Sequence, residues 1–440
     1  MDADLREILE KPFRTSTDSR TLEKSDVFFA LKGPRYDGHD FIREAATKGA
    51  AWLVVSDPDR VPPALKKNLR VTTVDDTLRA YGDLARATRQ KFKVPVVAVT
   101  GSCGKTTVKE LIAHVLSKKF RVLKSRGTEN NLVGVPKTLL QLDASVEVAV
   151  LELGTNRPGE IAALSSIATP QIAVITQIGS SHLEGLKSME SVKAEKLSIL
   201  QSLERGGTIL VNGQDPMLAG VKSGVHRVLK VGFQSSCDTA AEQIWCHEKG
   251  SSFTVEKNLM ETPLLGRHNI LNCLFAVVAA RALGMGFSEI RMALADFRPP
   301  AGRLSLRETD GIRFLDDSYN ANPTSFRVAL ETLKELKGRG KKGIVCGDML
   351  ELGPDEEKYH RELGAQMADQ FPDFVIAVGS RCGALADEAL KKGYDPQRMH
   401  AVKDSVEAGG ILRQMVQPGD CVLVKGSRGM KMERIFQSFT

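Results

Sequence analysis

The stretch PVVAVTGSCGKTT, residues 95–107, decides the fold of this chain. An apolar, β-branched run leads into a glycine-rich turn, and apolar residues at helical spacing follow: Val108, Leu111, Ile112, Val115 and Leu116. The order strand, turn and helix predicts a loop whose backbone N–H groups, with the positive end of the helix dipole, bind phosphate. In such a loop Lys105 supplies charge and Thr106 offers a hydroxyl to Mg²⁺.

Length and composition predict a large protein of several domains. At roughly 150 residues per domain, 440 residues correspond to about three domains, and 42% hydrophobic residues suffice for their cores. No apolar run approaches the roughly 20 residues of a membrane span, and the residues from Met1 to Asp4 show no basic stretch followed by an apolar one, so we expect no secretory signal. The 7 cysteines are scattered without a C-x-x-C pair, which predicts neither disulfides nor a zinc site. We expect a cytoplasmic protein.

The net charge of +7 is compatible with nucleic-acid binding, but its distribution favours another interpretation. The basic residues occur in short groups, such as 66–67 and 118–119, and aromatic residues do not alternate with them as stacking on single strands requires. A mildly basic enzyme with anionic substrates explains the charge. We predict no nucleic-acid partner. A nucleic-acid-dependent ATPase is the alternative, and an ATPase assay with and without nucleic acid distinguishes the two.

The element pattern changes along the chain. From about residue 94, strands and helices alternate, which is typical of a mostly parallel sheet covered by helices. Residues 226–265 predict short antiparallel strands, a long helix follows over 268–283, and a second α/β pattern begins after a proline-containing linker at 298–302. Apolar runs predict strands at 27–31, 51–55, 148–153, 172–176, 208–212, 314–317, 343–347, 374–378 and 420–424.

Two polar residues lie where predicted strands end, which is where open α/β sheets bind ligands. Glu152 closes the strand at 148–153, and His182 lies just past the strand at 172–178. Each residue alone is more often an ordinary polar residue at a strand end or in a loop. Next to a phosphate loop, however, Mg²⁺ needs oxygen or imidazole ligands, and the two residues together predict a metal site.

The chain resembles the Mur ligase family, the ATP-dependent amide ligases of peptidoglycan precursor synthesis. The family loop begins T-G-[ST]-x-G-K-[ST]-[ST], which fits Val99 where the general nucleotide-binding pattern has glycine. Strings in the family order cover nearly the whole chain: TGSCGKTT (100–107), ENNLVGVP (129–136), LELG (151–154), HLEG (182–185), GRHNILN (266–272), GR (302–303) and DDSYNANP (316–323).

The resemblance implies a three-domain α/β architecture. Residues 1–90 are expected to form an α/β domain that binds the UDP-linked substrate. Residues 91–300 are expected to form the central ATP-binding domain, in which a phosphate loop starts from a mostly parallel sheet with helices. Residues 301–440 are expected to form a Rossmann-like α/β domain. We expect the protein to act as a monomer.

Further strings resemble the branch of the family that joins D-alanyl-D-alanine to UDP-N-acetylmuramoyl-tripeptide, and the resemblance implies these two substrates. The strings are GDMLELG (347–353) with His360 after it, VKGSR (424–428), the loop at 317–322, and residues 17–20 and 31–40 near the N-terminus. One alternative is the branch that adds the third amino acid. The strings at 317–322 and 347–353 disfavour this branch. The other is a non-catalytic ATP-binding protein of the same fold, in which the metal ligands would be lost.

The resemblance assigns roles in a reaction in which ATP converts a carboxylate into an acyl phosphate that an amine then attacks. Thr106 and Glu152 are expected to hold the Mg²⁺ that bridges the ATP phosphates, and His182 a second Mg²⁺ near the substrate carboxylate. ATP itself is expected to contact Thr100, Gly101, Ser102, Cys103, Gly104, Lys105, Thr106, Thr107, Asn269, Arg303 and Asp317. Because Arg303 and Asp317 belong to the third domain, the ATP site requires domain closure.

Lys196, fourteen residues after His182, matches the family lysine that carries a CO₂-derived carbamate, an anion able to orient Mg²⁺. Only a neutral amine reacts with CO₂. At a pKa of about 10.4 roughly one lysine in 2,500 is neutral at pH 7, so burial has to lower the pKa. Lys193 is a neighbouring alternative, but its spacing from His182 fits the family lysine less well. The ordinary alternative is that Lys196 is an unmodified, solvated lysine on a helix.

The remaining expected contacts concern the two substrates. They are Ser19, Arg20, Lys32, Asp37, His39, Asn130, Asn131, Tyr319, Asn320, Asn322, Lys425, Ser427 and Arg428. Three alternatives stay open. Asn320 and Asn322 either contact the dipeptide or turn the chain and cap the helix that begins near Pro323. Lys425 and Arg428 either bind peptide carboxylates or complete the fold. Cys103 is either a thiol with a depressed pKa or a small residue that fits the turn.

Overall fold

The computed structural model describes residues 3–11, 13–34, 36–338, 340–370 and 372–439. Arg35, within the string at 31–40, lies outside the described residues. Sheets covered by helices succeed one another along the chain, which confirms the predicted α/β class. Within the described ranges, no helix combines the length and the apolar character that crossing a membrane requires.

The N-terminal sheet is parallel, with the strand order β1-β2-β3-β4. Phe29 and Trp52 face one layer of helices, and Phe28 and Leu53 face the other, so the strands are apolar on both sides as buried parallel strands must be. The elements are α1 (Ala3–Glu10), β1 (Thr15–Ser16), β2 (Val27–Phe29), α2 (Ile42–Thr47), β3 (Trp52–Val55), α3 (Pro63–Lys66), β4 (Arg70–Thr73) and α4 (Thr77–Lys91).

The central sheet is also parallel, with the order β11-β10-β9-β8-β5-β7-β6. The loop after β5 therefore lies beside the ends of β7 and β8, at the point where the order of strands reverses and open sheets bind ligands. The elements are β5 (Val96–Thr100), α5 (Lys105–Leu116), β6 (Val122–Lys124), α6 (Gly134–Leu139), β7 (Val148–Glu152), α7 (Glu160–Ala168), β8 (Ile172–Ile175), α8 (Leu183–Leu186), α9 (Met189–Leu197), β9 (Thr208–Asn212), β10 (Arg227–Gly232) and β11 (Thr239–Ala240).

The region 226–265 differs in part from the prediction of short antiparallel strands. β10 pairs in parallel with β9, and β11 with β10, so both strands extend the central sheet. The antiparallel prediction is correct for the next three strands, β12 (Glu242–His247), β13 (Gly250–Val255) and β14 (Asn258–Thr262). Local alternation does not encode the direction of pairing, which the path of the chain through 213–226 decides. The predicted long helix is α10 (Arg267–Ala282), and α11 (Phe287–Ala295) comes after it.

The C-terminal sheet has the order β15-β16-β20-β17-β18-β19, in which only β15 pairs antiparallel among the described strands. The sequence did not predict the edge strands β15 and β19, because they are half exposed and form no continuous apolar run. The elements are β15 (Ser305–Thr309), β16 (Ile312–Asp317), α12 (Pro323–Glu335), β17 (Lys342–Gly347), α13 (Glu356–Gln370), β18 (Phe374–Val378), α14 (Cys382–Lys391), β19 (Met399–Val402), α15 (Ser405–Met415) and β20 (Cys421–Lys425).

Candidate active site

A cavity of about 420 Å³ lies between the C-terminal edge of the central sheet and the loops of the C-terminal sheet. Its volume is in the range typical of ligand sites. The structure brings most of the predicted residues to this cavity: Ser102, Cys103, Gly104, Lys105, Thr106, Thr107, Asn130, Asn131, Glu152, His182, Asn269, Arg303, Asp317, Tyr319, Asn320, Asn322, Lys425, Ser427 and Arg428. Thr100 and Gly101 lie just behind, at the end of β5.

The turn after β5 is built for close backbone approach. Gly101 has φ +144°, and a Cβ there would lie 2.0 Å from Thr176 Oγ1, so only glycine fits. Gly104, at φ +81°, precedes α5 without a side-chain cap. Ser102 Oγ donates to Gly179 O and accepts from Gly179 N, both at 2.9 Å. The first N–H groups of α5 therefore face the cavity uncapped, as an anion site requires.

Lys105 bonds back to its own loop, and Thr106 connects the loop to the C-terminal domain. Lys105 Nζ donates to Gly101 O at 2.7 Å, and loss of hydration lowers the pKa of this lysine while Glu152 opposes the shift. Arg303 Nη2 donates to Thr106 Oγ1 at 3.1 Å, and its guanidinium lies 4.0 Å from the Tyr319 ring centroid. A planar cation from the C-terminal domain thus lies at the phosphate loop.

Glu152 ends β7 and is only 1% exposed. Its Oε1 accepts a hydrogen bond from Asn130 Nδ2 at 2.8 Å. Within the described chain Glu152 Oε2 has no hydrogen-bond partner, and neither does Ser181 Oγ, next to His182 on the same cavity wall. Buried polar atoms are rarely left unpaired, so this wall fits a bound cation with oxygen and imidazole ligands. Thr106, Glu152 and His182 are the candidate ligands of Mg²⁺.

Lys196 lies in α9 and is completely buried, beside the cavity rather than on its lining. No described residue accepts a hydrogen bond from its Nζ. Loss of hydration lowers the pKa of this amine well below 10.5, the charge of Lys105 lowers it further, and Glu195, Glu160 and Glu152 oppose the shift. Lys193, by contrast, is only half-buried on the same helix. Of the two lysines, Lys196 has the environment of a neutral amine.

Lys425 is engaged within the protein rather than free at the cavity. Its Nζ donates to Asp317 Oδ2 at 2.5 Å and to Asn320 O at 2.9 Å, and Asp317 Oδ1 accepts from Leu304 N at 3.0 Å. The pair arises because β16 and β20 are neighbours with Asp317 opposite Lys425. Lys425 therefore holds the loop after β16, which favours the interpretation that it completes the fold.

Asn322 is the N-cap of α12. Its Oδ1 accepts from Ser325 N at 2.8 Å, and its own N–H donates to Ser325 Oγ at 3.0 Å. Of the two interpretations of this residue, helix capping describes its contacts with Ser325, and the Cys103 thiol also donates to its Oδ1. Asn320 Oδ1 accepts from Ala321 N at 2.9 Å and from Arg428 N at 3.4 Å, and the residue lines the cavity.

The predicted UDP-substrate residues near the N-terminus lie in turns and short 3₁₀ segments between the strands of the first sheet, and they are not among the residues that line this cavity. Ser19 is buried, and Arg20 forms an ion pair with Asp18. Lys32 and Asp37 form an isolated antiparallel β-bridge. Hydrogen bonds from His39 and the charge of Arg60 overcome the effect of burial and lower the pKa of Asp37 to about 2.

His39 differs from the others because both of its ring nitrogens are occupied. Nδ1 contacts Asp37 Oδ1 at 2.6 Å, and Nε2 accepts from the backbone N–H groups of Ser56 and Asp57. A ring with both nitrogens engaged has no donor or acceptor left for a ligand. His39 therefore holds two loops together.

Several further residues line the cavity although no role was predicted for them from the sequence. They include Thr128, Thr155, Glu160, Thr176, Ser181, His268, Asn272, Ser325 and Glu351. His268 and Asn272 belong to the string at 266–272 and Glu351 to the string at 347–353, so the signal was present without a role. Burial lowers the pKa of His268 to about 4, with Asp317 and Lys425 as charged neighbours. The others carry no local pattern that marks them.

Comparisons with known proteins agree with this geometry. Three family models match: "Mur ligase family, catalytic domain" over residues 15–89, "Mur ligase middle domain" over 99–280 and "Mur ligase, glutamate ligase domain" over 302–428. The chain belongs to the Mur ligase family. Its phosphate loop starts the middle domain of that family, and Arg303 enters the cavity from the glutamate ligase domain.

Similar Mur ligases match over nearly their whole length. The UDP-N-acetylmuramoyl-tripeptide–D-alanyl-D-alanine ligase of Bacillus subtilis (strain 168) is 37% identical over 96% of this chain and 91% of that protein. A crystal structure of MurF from Acinetobacter baumannii superposes with a TM-score of 0.88 at 32% identity, over 97% of this chain and 93% of that one. MurF from Thermotoga maritima in complex with ADP has a TM-score of 0.87 at 29% identity, over 100% and 98%.

Proposed function

We propose that this chain is an ATP-dependent peptide ligase that joins D-alanyl-D-alanine to the carboxylate of UDP-N-acetylmuramoyl-tripeptide and releases ADP and phosphate. The cavity carries the proposal, because it combines a phosphate loop, a buried carboxylate with an unpaired oxygen and side chains from two domains. A non-catalytic relative would gain nothing from keeping such unpaired buried groups. The similar B. subtilis protein is named for the same reaction.

The first step is transfer of the γ-phosphoryl group of ATP to the substrate carboxylate, because an amine does not displace water from a carboxylate at a useful rate. The bond to the β-phosphate oxygen breaks, ADP leaves, and an acyl phosphate forms. The loop amides and Lys105 hold the phosphates in line with the carboxylate. Arg303 neutralises the charge that develops during transfer. Because Arg303 contacts Thr106 across the interface, this step needs the closed arrangement.

The second step is attack of the dipeptide amine on the acyl carbon. The tetrahedral intermediate collapses, the bond to the phosphate oxygen breaks, and the amine loses a proton as the amide forms. We place the dipeptide against Tyr319, Asn320 and Arg428, whose polar groups line the cavity from the C-terminal domain. Asn130 and Asn131 also line the cavity, and we place the UDP-linked peptide beside them.

Mg²⁺ fits the cavity wall at Glu152, with Thr106, Glu152 and His182 as the residues that would hold two ions. Bound Mg²⁺ neutralises phosphate charge and polarises the reacting oxygens. Asn130 orients Glu152 through the bond to Oε1 and leaves Oε2 for the ion. We propose that Asn269 contacts the adenine of ATP and that Asp317 contacts its ribose.

We extend the proposal to a carbamate on Lys196. The neutral Nζ amine bonds to the carbon of CO₂ and a proton is released, which converts a cation into an anion. Complete burial, the absence of a hydrogen-bond partner among the described residues and the lowered pKa support this modification. An unmodified ammonium group at this place would be both desolvated and unpaired.

The N-terminal domain is proposed to bind the UDP-linked substrate through Ser19, Arg20, Lys32 and Asp37, with His39 positioning Asp37. We propose domain divisions near residues 90 and 300, a monomer because one chain supplies both walls of the cavity, and a cytoplasmic site of action because the reaction consumes ATP.

Phosphate release from ATP tests the function directly. The purified protein is offered UDP-muramoyl dipeptide and tripeptides ending in lysine or diaminopimelate, each crossed with D-alanyl-D-alanine and with single amino acids. We expect release with a tripeptide and D-alanyl-D-alanine together. Release with the dipeptide substrate and a single amino acid would instead identify the ligase that adds the third residue. No substrate-dependent release from a folded protein would contradict ligase activity.

A further inference from the structure

The loop at 347–353, after β17, docks against the loop that carries His182. Glu184 N donates to Glu351 O at 3.3 Å, and a Cβ on Gly353 would lie 3.4 Å from the Glu184 backbone. Glu351 Oε2 lies 2.9 Å from His182 Nδ1, an ion-pair distance without hydrogen-bond geometry. The contact joins the C-terminal domain to the central domain next to the proposed metal wall.

The backbone on both sides of this contact adopts a conformation that residues with a Cβ rarely occupy. His182 has φ +53° and Glu351 has φ +65°. Histidine enters the left-handed region more often than most residues do, but glutamate does not, so the unusual conformation is that of Glu351. Such conformations persist where the surrounding structure requires them and are concentrated at functional sites. Here both serve to bring the two side chains face to face.

The other carboxylates that line the cavity each have a partner elsewhere, although Glu152 Oε2 remains unpaired. Glu152 accepts from Asn130, Glu160 accepts from Thr155 and the backbone N–H groups of 156–157, and Asp317 pairs with Lys425. The side chain of Glu351, by contrast, is directed at the ring of His182. A carboxylate beside one nitrogen of an imidazole fixes the tautomer and the ring orientation, and leaves the second nitrogen as a ligand.

We propose that Glu351 is a positioning residue that orients His182 for Mg²⁺ when the C-terminal domain closes. The carboxylate lies beside Nδ1 and holds the ring by electrostatic attraction, and the other nitrogen is left to bind the ion. Because the carboxylate comes from a different domain, the orientation of His182 depends on closure. The wall is therefore complete only when the domain that delivers the dipeptide is in place. This inference rests on the proposed function, in which His182 is a metal ligand.

The test compares Glu351→Gln, Glu351→Ala and Glu351→Gly with His182→Ala and the double variant His182→Ala/Glu351→Ala. Glu351→Gly keeps the left-handed backbone without strain, so it separates the side chain from the loop conformation. Glu184→Gln is the matched control, because it removes an exposed negative charge from the same contact. Turnover is measured against Mg²⁺ and D-alanyl-D-alanine concentrations. Mg²⁺-dependent binding of a non-hydrolysable ATP analogue, followed by calorimetry with the UDP-tripeptide present, gives a readout without turnover.

We expect each Glu351 variant to raise the Mg²⁺ concentration for half-maximal analogue binding, or to lower kcat, by about 10- to 100-fold. The KM for D-alanyl-D-alanine should change less than about twofold, and Glu184→Gln should behave as wild type. The double variant should be no worse than His182→Ala alone, because both changes remove one interaction.

Additive losses in the double variant would overturn the inference, since Glu351 would then act independently of His182. A rise in KM for the dipeptide with unchanged kcat and Mg²⁺ dependence would also overturn it and would make Glu351 a contact of the amine. Wild-type behaviour of all three Glu351 variants would show that the contact has no role. If the wild-type protein releases no phosphate, the proposed function fails, while the analogue titration still tests the contact.

Discussion

The thiol of Cys103, in the phosphate loop, donates to Asn322 Oδ1 at 3.4 Å, although the two residues are 219 positions apart. The contact joins the nucleotide loop to the N-cap of α12 in the C-terminal domain. Burial raises the pKa of this thiol, and the hydrogen bond to Asn322 and the charge of Lys105 only partly oppose the shift. Cys103 therefore matches the interpretation of a small residue that fits the turn, and not that of a thiol with a depressed pKa.

Asn322 combines a cap with a place at the cavity, and two substitutions separate these roles. We expect Asn322→Ala to lose about 1 kcal/mol of unfolding free energy, because the N-cap bond to Ser325 is lost. Asn322→Ser restores a cap and should restore stability. If the amide also contacts the dipeptide, the KM for D-alanyl-D-alanine, but not that for ATP, rises in both variants. A serine variant with wild-type KM would leave capping as the whole role.

Lys105 and Glu152 should be indispensable for turnover but not for folding. We expect Lys105→Ala and Glu152→Ala to retain less than about a tenth of wild-type turnover, a loss above roughly 1.4 kcal/mol, because each removes charge compensation from phosphoryl transfer. Lys118→Ala, just beyond the end of α5, and Glu147→Ala, just before β7, are the matched controls. Circular dichroism verifies folding. A folded variant above that level would refute the corresponding assignment.

The carbamate on Lys196 predicts a dependence on CO₂. We expect Lys196→Arg to be inactive although it keeps a positive charge, because a guanidinium does not form the modification. The matched control Lys193→Arg, half-buried on the same helix, should stay active. Removal of CO₂ from the buffer should lower wild-type turnover, and bicarbonate should restore it. The absence of a carbamate ¹³C NMR signal from fully active enzyme in ¹³C-bicarbonate at neutral pH, or an active Lys196→Arg, would disprove the carbamate.

His268 predicts a specific loss of stability in mild acid. Burial lowers its pKa to about 4 from an ordinary value of 6.5, so the unfolded chain binds more protons between these pH values. Stability that is present above pH 6.5 is therefore lost as the pH falls towards 4. We expect the unfolding free energy of the wild type to fall more steeply over this window than that of His268→Gln. Urea titrations at several pH values measure the difference. His247→Gln is the control, because His247 is exposed on β12. Parallel curves of stability against pH for wild type and His268→Gln would contradict this prediction.

The phosphate loop and the main strands could be predicted from local patterns, because an apolar run, a glycine turn and a helical stripe each lie within about twenty residues of chain. Glu152 and His182 were predictable for the same reason, as polar residues at the ends of such runs. The parallel pairing of β10 and the edge strands β15 and β19 were not predictable. Partners and direction of pairing depend on distant segments, and half-exposed edges carry no apolar run.

The environment of each site residue was decided by tertiary structure. Spacing placed Lys196 on a helix, but its lowered pKa comes from packing that removes water and brings Lys105 near. The pairing of Lys425 with Asp317 requires β20 to lie beside β16 in the sheet. The contact of Glu351 with His182 requires the C-terminal domain to pack against the central domain. A residue's type and neighbours along the chain limit the chemistry it performs. Its charge state and its partners are set by atoms that only folding brings within a few ångströms.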